Sequence, residues 1–386
     1  MLDANGFGWG VPDVTAELLS KVSDIAADQW DSLNPSGNPF VSHAFLTALE
    51  QSGSVGPNTG WSPSPILIRD AAGVPAAALA AYLKTHSQGE YVFDHHWANA
   101  FERAGGQYYP KLQIAAPFSP VPGPRLLLSD RSLALPMLRA AEAVVNQNGL
   151  SSAHATFIED TELEHFRAAD WLIRIGTQFH WQNRDYADFE SFLAALSSRK
   201  RKAVRKERAA AQSAVRIEQI AGADITPQMW NSFWIFYQDT GARKWGQPYL
   251  TRAFFDIIGE TMADHIVLFL AYDGDRPVAG ALNFFSPDCL YGRYWGCTRD
   301  VPFLHFELCY YQAIDFAIRN GLRRVEAGAQ GEHKLARGYE AVPTYSAHYI
   351  ANEGFRSAVA DFLERETQAM EREIEFLGDM GPFKKG

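Results

Sequence analysis

Three stretches of this chain hold more ionisable and aromatic side chains than secondary-structure propensity requires. One runs Glu326-Ala-Gly-Ala-Gln-Gly-Glu-His-Lys334, with Arg337-Gly-Tyr339 after it. Gly328 and Gly331 flank a predicted strand-to-helix junction, where backbone N–H groups at a helix start can cradle an anion. Glu326 lies on the strand, with Glu332 and His333 just beyond. A carboxylate or imidazole at a sheet end is placed to act as general base for an amine that must lose a proton before attack. The same residues equally suit a hydrogen-bonded structural network, and the sequence leaves both readings open. The second stretch is Tyr291-Gly-Arg-Tyr-Trp-Gly-Cys297, followed by His305-Phe-Glu-Leu-Cys-Tyr-Tyr311. The third is His86-Ser-Gln-Gly-Glu-Tyr-Val-Phe-Asp-His-His-Trp97, then Tyr108-Tyr-Pro-Lys111 and the proline-punctuated Ala116–Arg125.

Several chemistries lack their spacing. No Gly-Lys-Ser/Thr follows the glycines, so there is no P-loop, and no dinucleotide fingerprint fits. His95, His96, His305, His333 and His348 occur in neither a His-Glu-x-x-His nor a Cys-x-x-Cys frame, so no metal is expected. Cys309 falls in a helix predicted to pack, and Cys297 has no base tied to it by spacing. A Gly-x-Ser-x-Gly elbow is absent.

These segments sit on a chain of 386 residues, 47% hydrophobic and 13% aromatic. That length leads us to expect two domains with a substantial core. The three cysteines are odd in number and confined to 289–309, which argues for a reducing cytosol rather than a disulfide framework. The first residues carry neither a basic lead nor an apolar run, and no stretch reaches the roughly 18 apolar residues of a membrane span. A cytoplasmic protein without membrane insertion is therefore expected. The formal charge of −10 is unevenly spread. Residues 199–208 hold seven basic residues and one glutamate, a local +6 that leaves −16 on the remainder. Such a run is either a solvated helix face or a phosphate-binding face, while the acidic body gives no general pull toward DNA.

The chain also repeats itself. Asn-Gly-Leu occurs at 148–150 and again at 320–322, each time behind an apolar-periodic helix and ahead of a strand candidate (Ser152–Ile158 and Arg323–Ala329). Glycine at 149 and 321 suits the left-handed residue that ends a helix. Each copy continues through a polar helical segment (Thr161–Ala169; Glu332–Glu340) into another strand candidate. Upstream, Ile66–Leu83 and Ile266–Phe285 read as hairpins, the latter around Asp273-Gly274. The shared order predicts a duplicated mixed α/β unit with its boundary near residue 186. Thr226-Pro227 should cap a helix that buries Trp230, Phe233, Trp234 and Tyr237, and Asp361–Phe376 should be a terminal helix.

The blocks HSQGEYVFDHHWA, YYPKL, PFSPVPGPRLL, SSRKRKAVRKER, LYGRYWG, LHFELCYYQAI and EAGAQGEHKLARGY closely resemble the FemAB-like family of N-acyltransferases, within the wider GNAT acyltransferase superfamily. The resemblance spans roughly Asn38 to His348. It implies an α/β (α+β) fold of tandem GNAT-like domains with mixed central sheets: residues 1–186 on the acceptor side, and 187–386, with the basic helix 198–208, on the donor side. In such proteins the donor lies where two parallel strands splay apart, here Leu290–Cys297 and Arg323–Ala329. Arg299-Asp-Val-Pro302 stands where GNAT proteins usually carry their pyrophosphate pattern.

Under this resemblance Trp295, Gly296, Cys297, Gly328, Gln330, Gly331, His333 and Lys334 bind the donor, with acyl-CoA as co-substrate. Glu326, Glu332 or Glu307 is the base and Tyr339 protonates the leaving group. Asp94, His95, Trp97, Tyr109 and Lys111 line the acceptor side. Arg201, Lys202 and Arg205 meet phosphate. The expected activity is acyl transfer from a thioester to a small-molecule or peptide amine. Its rivals are an aminoacyl-tRNA-dependent transferase acting on a peptidoglycan-like precursor, and a recognition module without catalysis.

Overall fold

The computed structural model describes residues 15–244, 248–328 and 331–384, apart from the side chains of 241–244 and Glu332. Contacts divide it into two compact units. The first comprises residues up to Gly176 together with Thr344–Glu371, and the second Thr177–Pro343 together with Arg372 onward. The single boundary expected near residue 186 thus becomes three crossings, because the chain returns to the first unit after residue 343. Strand pairing between distant segments decides this, and no local signal announces it.

The first unit contains β1 (Thr15–Leu18), β2 (Trp61–Pro63), β3 (Ile66–Arg69), β4 (Pro75–Leu79), β5 (Ala81–Lys84), β6 (Lys111–Ile114), β7 (Leu127–Leu128) and β8 (Ser152–Ile158). The order β1-β3-β4-β7 forms a small sheet. A one-residue break at Ala80 moves the chain into a second sheet, where β5 pairs antiparallel with both β2 and β6. β6 then runs parallel to β8, with Gln113 opposite His154. Among the helices of this part of the chain are α1 (His95–Arg103) and α2 (Ala134–Gln147). Met137, Leu138, Ala141, Val144 and Val145 of α2 are buried with β3, β4, β6 and β8 side chains, the single apolar stripe that the 3,4-spacing requires.

β9 (Leu172–Gln182) begins in the first unit and ends in the second. There follow α3 (Phe189–Ala195), α4 (Ser198–Ala214), β10 (Arg216–Ala221), α5 (Pro227–Lys244), α6 (Arg252–Thr261), β11 (Ile266–Asp273), β12 (Arg276–Phe285) and β13 (Cys289–Cys297). β10 to β13 form an antiparallel meander. A helical turn at Leu304–Phe306 and a π turn at Glu307–Tyr311 lead into α7 (Gln312–Arg319), and β14 (Arg324–Glu326) then pairs parallel with β13. β15 (Glu340–Ile350) leaves this unit and pairs antiparallel with β8 of the first, before α8 (Glu353–Asp379).

Local signals held where the chemistry is local. Gly149 (φ 62) and Gly321 (φ 66) are left-handed behind their helices, and Gly274 (φ 58) turns the β11–β12 hairpin. α5 starts at Pro227, with the Met229 N–H donating to Thr226 Oγ1 at 3.3 Å. Its Trp230, Phe233 and Tyr237 are buried, and each rings against Phe255 of α6. Each such side chain contributes about 1.5–3 kcal/mol of apolar burial. The helix expected over Glu332–Glu340 is instead a 3₁₀ segment, Glu332–Arg337, because the strand starts four residues early at Glu340. The terminal helix is longer than Asp361–Phe376. No described helix is long and apolar enough to cross a membrane.

Gly296 shows how tightly α5 lies on β13. A Cβ there would stand 2.0 Å from the Phe236 carbonyl oxygen. Gly296→Ala is expected to shift the urea midpoint by a stability loss of about 2–3 kcal/mol, whereas Gly378→Ala, with nothing within 4 Å, costs little. An unchanged midpoint for Gly296→Ala would contradict this packing.

Candidate active site

Alternation along three strands of the second unit builds one polar row and one apolar row. Leu290 of β13, Val325 of β14 and Trp181 of β9 pair across the sheet and are wholly buried in the core. One residue on, Tyr291, Glu326 and His180 stand side by side on the opposite face. Arg324 lies two residues before Glu326 on that same face. Its Nε donates to Glu326 Oε1 at 3.0 Å, while Oε2, also buried, has no hydrogen-bond partner. Burial holds the His180 imidazole below its ordinary pKa, against the pull of Glu326.

The parallel ladder ends at this row. β13 pairs with β14 only through Cys289–Arg324, Leu290–Val325 and Tyr291–Glu326. β14 stops there, and β13 runs on to Cys297. Just past the stop β13 carries a bulge. Gly292 faces Asn283 and Tyr294 faces Leu282, so Arg293 is the extra residue. A bulge next to a strand end re-aims backbone groups. The parting therefore opens beside a carboxylate with one unused oxygen.

The surroundings of the parting are aromatic and basic. Trp295 meets His305 edge-on at 5.3 Å, and His305 contacts Phe306 and Tyr310. His333 shares a 3.0 Å hydrogen bond with the Tyr310 hydroxyl, and its pKa is lowered by burial and by Arg337 and Lys334. The Arg337 guanidinium lies 3.5 Å from the Phe306 ring centroid and pairs with Glu207 of α4 at 2.9 Å. Glu207 also accepts from Tyr311. Glu307, completely buried, accepts from Gln312 (2.7 Å), Gln212 (2.9 Å) and Arg208 (3.3 Å). Two ion pairs in opposite sense thus hold α4, Glu207–Arg337 to the 3₁₀ segment after β14 and Arg208–Glu307 to the π turn. Removing one member of such an enclosed pair costs about 3–5 kcal/mol.

The expected site residues divide accordingly. Glu326 stands at the parting. Glu307 is occupied as an anchor, both of its oxygens accepting from Arg208, Gln212 or Gln312. Tyr339 is fully buried, with its hydroxyl unpartnered and its pKa pushed well up by burial. Gly296 is a packing glycine against α5, and Cys297 leans on the core. Lys334 donates to the carbonyls of Ala327 (2.6 Å) and Gly328 (2.9 Å), shaping the loop after β14; Gly328 (φ 77) and Gly331 (φ 108) bend that loop. Gln330 and the Glu332 side chain lie outside the described residues. Arg205 pairs with Glu190, whereas no described side chain pairs with Arg199, Lys200, Arg201, Lys202 or Lys206. Sequence reasoning missed His180 and Arg324, whose partners come from another strand, and the anchoring role of Glu207 and Arg208.

In the first unit Asp94, Tyr109 and Lys111 do converge, with Asp94 and Lys111 in its interior and Tyr109 half-buried beside them. Lys84 and Lys111 face each other across β5 and β6. Lys111 Nζ donates to Glu90 (2.8 Å), Ser87 (3.0 Å) and Asp94, and Ser87 shares a 2.7 Å hydrogen bond with Tyr109. Tyr108 donates to Asp94 at 2.7 Å and lies 3.3 Å from His154. The His154 and His348 Nδ1 atoms are 2.7 Å apart, and His348 reaches Ser346. Trp97 packs edge-on against His348 at 4.9 Å, while His95 is exposed outside the cluster. Among the described residues, no group of three His, Cys, Asp or Glu side chains is disposed to hold a metal ion.

Burial sets the titration of this cluster. Lys84 is lowered to about 7 and Glu90 raised to about 7. Burial also opposes charge on Asp94 and Lys111, but their mutual attraction prevails: Asp94 sits well below the usual carboxylate range and Lys111 above the usual lysine value. Burial, with Lys111 nearby, drops His154 to about 3, and burial and His154 lower His348. The unfolded chain therefore takes up the His154 proton as pH falls below 6.5, while the folded chain does not until about 3. Stability from this residue is complete above pH 6.5 and lost between 6.5 and 3. Glu90 acts in the opposite sense over pH 4.5–7, so the readout is a difference. His154→Gln should flatten the dependence of unfolding free energy on pH between 6 and 4 by up to about 1.4 kcal/mol per pH unit. Parallel curves for the two proteins would exclude a neutral buried His154.

A family profile for FemAB-like proteins, described as peptidoglycan biosynthesis/recognition, matches residues 21–385. No curated protein matches the sequence significantly. Among solved structures, FemX aligns over 87% of this chain and 98% of its own, at 12% identity and a TM-score of 0.54. L-PGS from Bacillus licheniformis aligns over 86% and 95%, at 8% identity and a TM-score of 0.50. A tandem GNAT protein from the clavulanic acid biosynthesis pathway aligns over 88% and 99%, at 12% identity and a TM-score of 0.46. Identities this low speak to the fold alone. With its profile match over nearly the whole length, the chain belongs to the FemAB-like family, on a mixed α/β fold that it shares with FemX.

Proposed function

We propose that the protein is an N-acyltransferase that moves an acyl group from a thioester, acyl-CoA, to an amine, with the reacting carbonyl at the parting of β13 and β14. The observation that carries this reading is the juxtaposition of that parting and its Arg293 bulge with Glu326, whose Oε2 is buried without a partner. The amine loses its proton to Glu326 Oε2 as its nitrogen bonds to the carbonyl carbon. Backbone N–H groups of the bulged stretch of β13 steady the resulting oxyanion, a contribution of about 3–4 kcal/mol in comparable sites. Collapse breaks the C–S bond and releases the thiolate, which is protonated from solvent. His180, held neutral beside Glu326, accepts or relays the proton taken from the amine. The family's description supports an amine of a peptidoglycan-type precursor as the acceptor.

Glu326→Gln keeps the shape and removes the base. Its kcat should fall by about 10²–10⁴, while the dissociation constant for acetyl-CoA changes less than about twofold. Native mass spectrometry reads the binding and amine acylation reads the rate. Undiminished turnover would remove Glu326 from the mechanism, and the lack of any turnover in the wild type would favour a recognition module.

A second reading, transfer from an aminoacyl-tRNA, is favoured by one observation: the unpaired cations of α4. Charged tRNA should then bind with a steep inverse dependence on salt, and Arg201→Gln with Lys202→Gln should reduce the slope of log K against log salt by about 1–2. No tRNA binding at low salt excludes this alternative.

A further inference from the structure

Both units contain a parallel strand pair, and the two pairs end differently. In the second unit the chain beyond the β13–β14 pair is open. Residues 292–303 are half-buried or exposed except Gly296, which packs on α5, and Val301. Among the described residues, no backbone hydrogen bond ties 298–303 to 327–328. The corresponding chain in the first unit, beyond the β6–β8 pair, is closed. Residues 115–121 are buried without exception, and the loop folds back over the end of β8. Gly123 N–H donates to Phe157 O at 3.1 Å. The Arg125 guanidinium, almost fully buried, donates to Thr156 O (2.8 Å), Val121 O (2.7 Å), Gly123 O (3.1 Å) and Pro124 O (3.2 Å). Its backbone N–H and that of Leu126 donate to Glu162, itself buried. The Asn38 side chain occupies the space beside Gly123, where a Cβ would stand 2.3 Å from its amide nitrogen.

We infer that the first unit's copy of the crevice is sealed by Arg125 and the 115–126 loop, so that the chain has a single acyl-donor site, in the second unit. Composition points the same way. Pro117, Pro120, Pro122 and Pro124 have no N–H, so four positions of this loop have nothing to offer a phosphate or an oxyanion. A guanidinium surrounded by carbonyls gives the loop a fixed, water-free filling. The first unit thereby keeps the sheet and loses the opening, which leaves it free to serve the acceptor or to act as a scaffold.

This inference rests on the proposed placing of the acyl donor at the β13–β14 parting, and its test separates the two. Amide hydrogen exchange on the ligand-free, full-length protein needs no donor. Gly123, Arg125 and Leu126 should exchange more than about 100-fold more slowly than the exposed amides of Arg299 and Asp300. Equal rates would show that the loop opens and would overturn the seal. Arg125→Ala should speed exchange across 115–126 at least about tenfold and leave 292–297 unchanged, and no change in the loop would overturn the role of Arg125. Native mass spectrometry with saturating acetyl-CoA, and separately with charged tRNA, should count one donor per chain, with protection confined to the second unit. Two donors, or protection at 112–126 or 153–158, would overturn the inference. Binding of neither probe would instead defeat the donor placing, and the exchange rates would then decide the seal alone.

Discussion

The parallel ladder between β13 and β14 stops after Tyr291 and Glu326, and the polar groups of the candidate site are arranged around that stop. A parallel strand that continues past the end of its neighbour exposes one edge of backbone donors and acceptors. Such groups must be satisfied by water, by another segment or by a ligand. The Arg293 bulge re-aims them and the loop after β14 turns away, held by Lys334 on the Ala327 and Gly328 carbonyls. Glu326 owes its position to the last rung of the ladder. Arg324 occupies one of its oxygens and leaves the other.

The basic helix α4 bears on this region through two buried ion pairs rather than through its exposed charge. Glu207 and Arg208 are adjacent in sequence, yet they engage Arg337 and Glu307 from elements on either side of β14. The π turn that presents Glu307 widens the helix by one residue, which places Glu307 and Tyr311 toward α4 together. π turns of this kind concentrate at functional sites. Arg199, Lys200, Arg201, Lys202 and Lys206 of the helix have no acidic partner among the described side chains. That arrangement explains how a chain of net charge −10 presents a strongly basic face.

Much of the fold was legible because its causes are local. A left-handed glycine ends a helix wherever it occurs, so the two Asn-Gly-Leu copies marked corresponding points of two units. Asp273-Gly274 and Thr226-Pro227 likewise specify a turn and a cap by themselves. What the sequence could not convey depends on partners far along the chain. β9 and β15 each leave one unit for the other, and Glu307 meets its partners on α4 roughly a hundred residues away. The polar stretch around Asp94 and Lys111 was conspicuous, but its burial was not. Lys84, lying opposite Lys111, and His154, lying opposite His348, became visible only through strand register.

The duplication also shows how one plan supports different outcomes. Two similar strand pairs end in an open parting in the second unit and in a proline-rich, arginine-filled loop in the first, and the proposed reaction uses the open one. The most direct measurement is crosslinking with an acyl-CoA that carries a photoreactive acyl chain, followed by mapping of the labelled peptides. Labels on 292–297 and 326–328 are predicted. Labels concentrated on 111–126 or 152–158, or spread without preference, would contradict the assignment of acyl transfer to the β13–β14 parting.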